Sequence, residues 1–276
     1  MPKLGILKTV FSLLAVPAGA AAAQGLPPAE DAAVARLNAS PRHGEWVKVD
    51  AGGGDSVQAW VVYPERSDKA PVVVVIHEIF GLTDWIRSVT DQLAAEGFIA
   101  IAPDLLTGKG PGGGGTASVD RQGAIALIQT LKPDEVQRRL RAAAEYAMGL
   151  PAARRAAASV GFCWGGTTSF AFATSWPGLK GAAVFYGTPP DADAMARIAA
   201  PVAAFYGGDD ARVTSTVEPT RAAMQRLGKR YEPHVYDGAG HGFMRDQMGR
   251  NGANLKAAQD AWPKAVTFLR EAVGGR

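Results

Sequence analysis

The sequence predicts one α/β domain on a mostly parallel sheet with helices on both faces. Three observations predict it. Apolar runs of about five residues recur along the chain, stretches with helical periodicity separate them, and neither an internal repeat nor an interdomain linker interrupts the alternation. The chain has 276 residues, of which 47% are apolar and 20% charged, an ordinary globular composition with enough apolar surface for one large core.

The first strands are predicted over residues 46–50 and 57–63, flanking the turn-like Gly52-Gly53-Gly54, as an antiparallel hairpin at the edge of the sheet. Residues 72–76, directly after Pro71, form a continuous β-branched run that reads as a strand buried on both faces. Further strands are predicted over 98–102, 157–160, 182–186, 202–206 and 231–236. Helical periodicity covers 84–96, 135–148, 167–175, 214–227 and 255–273, with a further helix over 119–131. Residues 108–115, with four glycines at Gly112–Gly115, follow a strand end; a plain connector and a mobile rim over a site both fit them. They are not a dinucleotide loop, which needs the G-x-G-x-x-G spacing with a strand immediately before it and a helix immediately after it.

Residues 1–23 join a positive start (Lys3, Lys8), an apolar stretch and a small-residue end before Gln24, the pattern of a secretory signal peptide cleaved near Ala23. The apolar part is too short to span a bilayer, so no stable membrane insertion is expected after cleavage, and the location is secreted or periplasmic. Residues 24–44 then read as an N-terminal extension and 45–276 as the domain. Losing Lys3 and Lys8 takes the formal charge from +3 to +1, and no long basic run marks a nucleic-acid partner. Arg138, Arg139 and Arg141, at helical spacing, read as a solvated helix face. A single cysteine excludes an intramolecular disulfide framework and a Cys-rich metal site.

The chemistry is predicted at strand ends. Gly161-Phe162-Cys163-Trp164-Gly165 follows one strand and precedes a helix, the nucleophile-elbow pattern G-x-S-x-G with cysteine in place of serine. The glycines are needed because the nucleophile stands on a strained turn with neighbouring backbone close by. The remaining triad members follow in the order acid, then histidine. Gly207-Gly208-Asp209-Asp210 ends one strand, with Asp210 favoured as the acid and Asp209 as a turn former; His241 ends the next, between Gly240 and Gly242. After the strand at 72–76, His77-Glu78-Ile79-Phe80-Gly81 brings a backbone N–H of Ile79 to pair with that of Trp164 as an oxyanion hole. Glu78 is unusual beside a nucleophile and an oxyanion hole, because its charge would repel the negative charges that catalysis creates.

Taken together, Gly161-Phe162-Cys163-Trp164-Gly165-Gly166, His77-Glu78-Ile79-Phe80-Gly81, Gly207-Gly208-Asp209-Asp210 and His241-Gly242-Phe243 resemble the dienelactone hydrolase family, the carboxymethylenebutenolidases. The resemblance runs over about residues 45–275. It implies the α/β-hydrolase fold, a Cys163-His241-Asp210 triad, hydrolysis of a small-molecule ester or lactone, and no cofactor or metal. It further implies that Glu78 helps generate the thiolate and that Arg245, four residues after the histidine, binds an anionic substrate group. The segment after Pro103-Asp104-Leu105 has no arginine at the place the family would have its second one, and Lys109 offers charge there without the fork geometry. Other readings of the same residues are a thioesterase or general carboxylesterase and, from other classes, a non-catalytic binding protein or a thiol redox sensor. The export reading is checked by N-terminal sequencing of the protein from its native host: a start near Gln24 is expected, and a product beginning at Met1 or Pro2 would overturn it.

Overall fold

β-Branched and small apolar residues dominate the strands, and their alternation sorts the core into two layers. A computed structural model describes residues 25–274; the predicted signal peptide at 1–23 lies outside the described residues. The strands are β1 (Gly44–Gly52), β2 (Asp55–Val62), β3 (Ala70–Ile76), β4 (Ile99–Pro103), β5 (Ala153–Phe162), β6 (Ala182–Phe185), β7 (Val202–Gly207) and β8 (Tyr231–Tyr236). They form one eight-stranded sheet in the order β1-β2-β4-β3-β5-β6-β7-β8. The predicted hairpin is present, with Trp46 opposite Trp60 and Val49 opposite Val57; β2 also runs antiparallel to β4, and every other pair is parallel.

On β3, Val72, Val74 and Ile76 face one layer while Val73 and Val75 face the other. The helices are α1 (Ala33–Asn38), α2 (Asp84–Ala95), α3 (Arg121–Ile128), α4 (Pro133–Gly149), α5 (Trp164–Ser175), α6 (Ala192–Met195), α7 (Ala211–Thr214), α8 (Val217–Arg226) and α9 (Ala253–Gly274). Helices α4, α5 and α8 cover the first face and α2 and α9 the second. This is the α/β-hydrolase fold. Thr83 caps α2 by accepting from Ile86 N, and Gly97, at φ 94°, ends its last turn. From β3 the chain steps to β4 on one side and then, through α4, to β5 on the other. The order of the sheet therefore reverses beside β3, and a crevice opens at the carboxyl ends of β3 and β5.

Several local expectations change. The helix predicted over 214–227 is α8, which begins three residues later, at Val217, so that Pro219 falls in its first turn, where no intrahelical N–H bond is needed; the short α7 precedes it. Strand β5 begins four residues before the apolar run, because Ala153 already pairs with Ala70, and an irregularity at Arg154–Ala156 precedes the regular pairing from Ala157. The extension before residue 45 contains a 3-10 turn (Glu30–Ala32) and α1, both packed on the domain. The glycine-rich segment is a tied connector: Gly110 N donates to Gly114 O, and Thr116 bonds Asp104 through both its N–H and its hydroxyl.

The solvated-face reading of the three arginines fails at Arg139. Arg141 is exposed beside Glu145, but the Arg139 side chain is 4% exposed. It donates to both oxygens of Asp55, at 3.0 and 2.7 Å, and to the carbonyls of Leu105 and Thr107, pinning α4 to the hairpin and to the loop after β4. Hydrogen bonds from Arg139 hold the Asp55 carboxyl down at about 2. Its native-state pKa is thus depressed, so the stability it adds is present above the ordinary aspartate range and is lost as the pH falls towards 2. Arg139→Ala removes a buried guanidinium and strands two carbonyls. It is expected to cost about 3 kcal/mol, read as a lower urea midpoint at unchanged slope; a loss within about 0.5 kcal/mol would return Arg139 to the solvated face.

Candidate active site

The carboxyl ends of β3, β5, β6, β7 and β8 converge on one cleft of about 550 Å³, lined by Glu78, Ile79, Cys163, Tyr186, His241 and Arg245 among others. The turn from β5 into α5 is made within one residue. Cys163 has φ 56° and ψ −118°, a backbone conformation that costs a side-chain-bearing residue strain. A Cβ on Gly161 would strike the carbonyl of Gly165, and one on Gly165 would strike those of Ile76 and His77, so the glycines of the elbow answer to packing between backbones.

Around the sulfur, opposing influences meet. Burial pushes the Cys163 thiol up to about 11, and the Glu78 charge adds to that; the backbone N–H groups of Trp164 and Ile79 and the Arg212 guanidinium favour the thiolate. The two N–H groups expected to form an oxyanion hole thus both act on this sulfur. Glu78 is 3% exposed, and burial pushes its carboxyl up to about 7, against the pull of Arg245 and with the push of Glu30. Arg245 Nε lies 2.9 Å from Glu78 Oε2 as an ion pair, off the N–H axis of a hydrogen bond.

Asp210 and His241 come together as the chain order predicts. His241 Nδ1 lies 2.5 Å from Asp210 Oδ2, with the carboxylate buried and the imidazole one-third exposed on the cleft. This pairing orients the ring and leaves Nε2 as the nitrogen available to the cleft. Asp209 instead faces outward and pairs with Arg250 at 3.3 Å. His77 is buried, bonded to Leu105 N and stacked on Trp164, so it braces the wall of the cleft. Lys109 pairs with Glu135 and does not line the cleft.

Arg245 does line the cleft, but its charge is already engaged. Its Nη1 donates to Glu30 Oε2 at 2.6 Å in addition to the Glu78 contact. Sequence reasoning missed Tyr186. It ends β6 at φ 41°, packs edge-on to His241 with ring centroids 5.1 Å apart, and keeps a buried hydroxyl without a partner among the described residues. Its only signal was a tyrosine at a strand end before Gly187. Among the described residues no group of three His, Cys, Asp or Glu is placed to hold a metal ion.

With this geometry in view, comparison with known proteins identifies relatives along most of the chain. The profile of the dienelactone hydrolase family matches residues 57–273. A Salmonella typhimurium protein named "Putative carboxymethylenebutenolidase" is 32% identical over 237 residues, covering 81% of this chain and 85% of that protein. A protein of the same name from Saccharolobus solfataricus is 31% identical over 248 residues, covering 79% and 95%. A crystal structure from Klebsiella pneumoniae, titled with the same qualifier as a dienelactone hydrolase, superposes with a TM-score of 0.74 at 27% identity, over 83% of this chain and 99% of that one. The chain belongs to the dienelactone hydrolase family and is a hydrolase.

Proposed function

We propose that the chain hydrolyses a small-molecule ester or lactone through a covalent acyl-thiol intermediate on Cys163, with His241 and Asp210 completing the triad. The observation that carries this reading is the pairing of Asp210 with His241 on the same cleft as a strained, glycine-flanked cysteine. In the attacking step, sulfur adds to the carbonyl carbon while the thiol proton passes to His241 Nε2, directly or by way of Glu78. The oxyanion is received by the N–H groups of Ile79 and Trp164. Collapse breaks the C–O bond, and protonated His241 gives its proton to the leaving oxygen. Water, deprotonated by His241, then cleaves the acyl-thiol to the free acid and restores the thiol.

The charges of the cleft support a thiol that is silent until substrate arrives. With the thiol pushed up to about 11 and the carboxyl to about 7, moving a proton from Cys163 to Glu78 is uphill at rest. The resting sulfur is therefore a thiol, and substrate binding has to supply the difference by excluding water and presenting an oxygen to the N–H pair. A thiol held so high is poorly suited to peroxide sensing, which needs a standing thiolate.

The triad is tested with 4-nitrophenyl esters and lactones. Cys163→Ala and His241→Ala are each expected to lower kcat by several orders of magnitude, and Asp210→Asn by at least 100-fold, whereas Asp209→Asn should stay within about threefold. Greater sensitivity at Asp209 would overturn the acid assignment, and full turnover by Cys163→Ala would overturn the mechanism. Glu78 is tested by labelling Cys163 with iodoacetamide against pH in the absence of substrate. The wild-type curve should still be rising at pH 9. Glu78→Gln should shift it to lower pH, by only part of the elevation because burial is the larger cause, and should slow turnover. Unchanged labelling together with unchanged kcat would reduce Glu78 to a loop carboxylate.

A further inference from the structure

Two arginines converge on one carboxylate at the edge of the Cys163 cleft, and that carboxylate is the chain's own. Glu30, in the 3-10 turn before α1, accepts from Arg245 Nη1 through Oε2 at 2.6 Å and from Arg121 Nη1 through Oε1 at 2.9 Å. Arg121 opens α3 and stacks on Phe80 with its Cζ 3.6 Å from the ring centroid; the Cζ of Arg245 lies 5.2 Å from the same ring. Phe80 and Arg245 line the cleft with Cys163, while Arg245 and Glu30 also line a neighbouring hollow of about 400 Å³. Arg245 is thus the partition between the two spaces, with one face towards the nucleophile and the other holding Glu30.

The segment that carries Glu30 is firmly tied. Gln247 Nε2 donates to Pro27 O at 2.8 Å and Trp85 Nε1 to Pro28 O at 3.0 Å, while Glu30 N donates to Arg245 O at 3.1 Å. Ala33, three residues on, is 1% exposed in the core layer that also holds α2. Because the two prolines have no N–H of their own, this stretch lies against the domain without leaving donors unpaired. Its carboxylate is a fixture behind the wall of the cleft, on the side of Arg245 away from Cys163.

A guanidinium fork facing a cleft is suited to an anionic group, and here the anion is already supplied. A second carboxylate brought to Arg245 would meet both Glu30 and Glu78, each within 3 Å of a guanidinium nitrogen. Like charges at that separation exclude such a group. We propose that Glu30 is a specificity-determining residue: it fills the anion subsite of Arg245 from within, so that the group a substrate places there is neutral. The expectation that Arg245 orients an anionic substrate is revised accordingly. This inference rests on reading the cleft as that of a Cys163 hydrolase, and it goes further by naming the substrate class.

The experiment compares 4-nitrophenyl butyrate with 4-nitrophenyl hemisuccinate, esters that differ by a terminal carboxylate. The wild type should favour the butyrate in kcat/KM by about tenfold or more, and a preference for the hemisuccinate would overturn the proposal. In Glu30→Gln and Glu30→Ala the ratio of hemisuccinate to butyrate should rise by about 10- to 150-fold, mainly through KM, as one freed charge-assisted pair allows. A ratio unmoved in both variants would overturn it. So would a ratio that responds to Arg212→Gln and not to Glu30, because Arg212 also lines the cleft and would then be the residue that reads the anion. Calorimetric titration of succinate supplies a readout without turnover: in a Cys163→Ala background, adding Glu30→Gln should tighten binding at least tenfold, and unchanged affinity counts against the proposal. If Cys163→Ala alone leaves both esters turning over, the reading of Cys163 as the nucleophile fails, while the succinate titration still decides the role of Glu30.

Discussion

One residue carries the change from strand to helix, and the remainder of the site is arranged around it. A left-handed cysteine costs about 1–3 kcal/mol and persists only where its surroundings over-determine it. Here Cys163 N donates to Phe185 O at 3.0 Å, and Thr167 N returns to Cys163 O at 3.1 Å. Gly161, Gly165 and Gly166 let backbone from β3 and β6 approach where any side chain would collide. Two neighbouring strands therefore hold the turn, and the sulfur projects over the sheet edge, where a regular strand or helix would not aim it. Tyr186, at φ 41° on the adjoining strand, repeats the device and points its ring into the same cleft.

Dryness sets the chemistry as much as charge does. Burial is the leading cause of the upward shift of both Cys163 and Glu78, ahead of any single neighbour. The walls that exclude water are specific: His77 stacks on Trp164 with centroids 5.6 Å apart, and Phe80 closes the side beneath the arginines. Opening that wall would relax both groups together, because each gains most from returning to solvent. Arg245 couples them further, since one guanidinium is shared between a carboxylate of the site and one from the N-terminal segment.

What could be read in the sequence was what depends on neighbours along the chain. Continuous β-branched runs marked β3, strand-turn-helix order marked the elbow, and the spacing of Asp210 and His241 marked the ends of β7 and β8. What escaped depends on residues far apart in sequence. Arg245 and Glu30 are separated by 215 positions and Arg121 and Glu30 by 91, so no window could show the pairs. Arg139 looked like a surface cation because its partners, Asp55 and two carbonyls after β4, arrive from other elements. Pro219 was visible and belongs in a first helical turn, which would have moved the start of the helix predicted from 214 to about 217.

The sulfur of Cys163 has no counterpart elsewhere in the chain. Were it oxidised to a sulfenic acid, no resolving thiol in the same molecule could trap that state as a disulfide, and the next rungs, sulfinic and sulfonic acid, are not reversed by simple thiols. Rescue would have to come from a thiol in solution small enough to enter the cleft. Keeping the sulfur protonated between turnovers is then a form of chemical longevity: the burial and the Glu78 charge that delay attack on substrate also withhold the thiolate from oxidants.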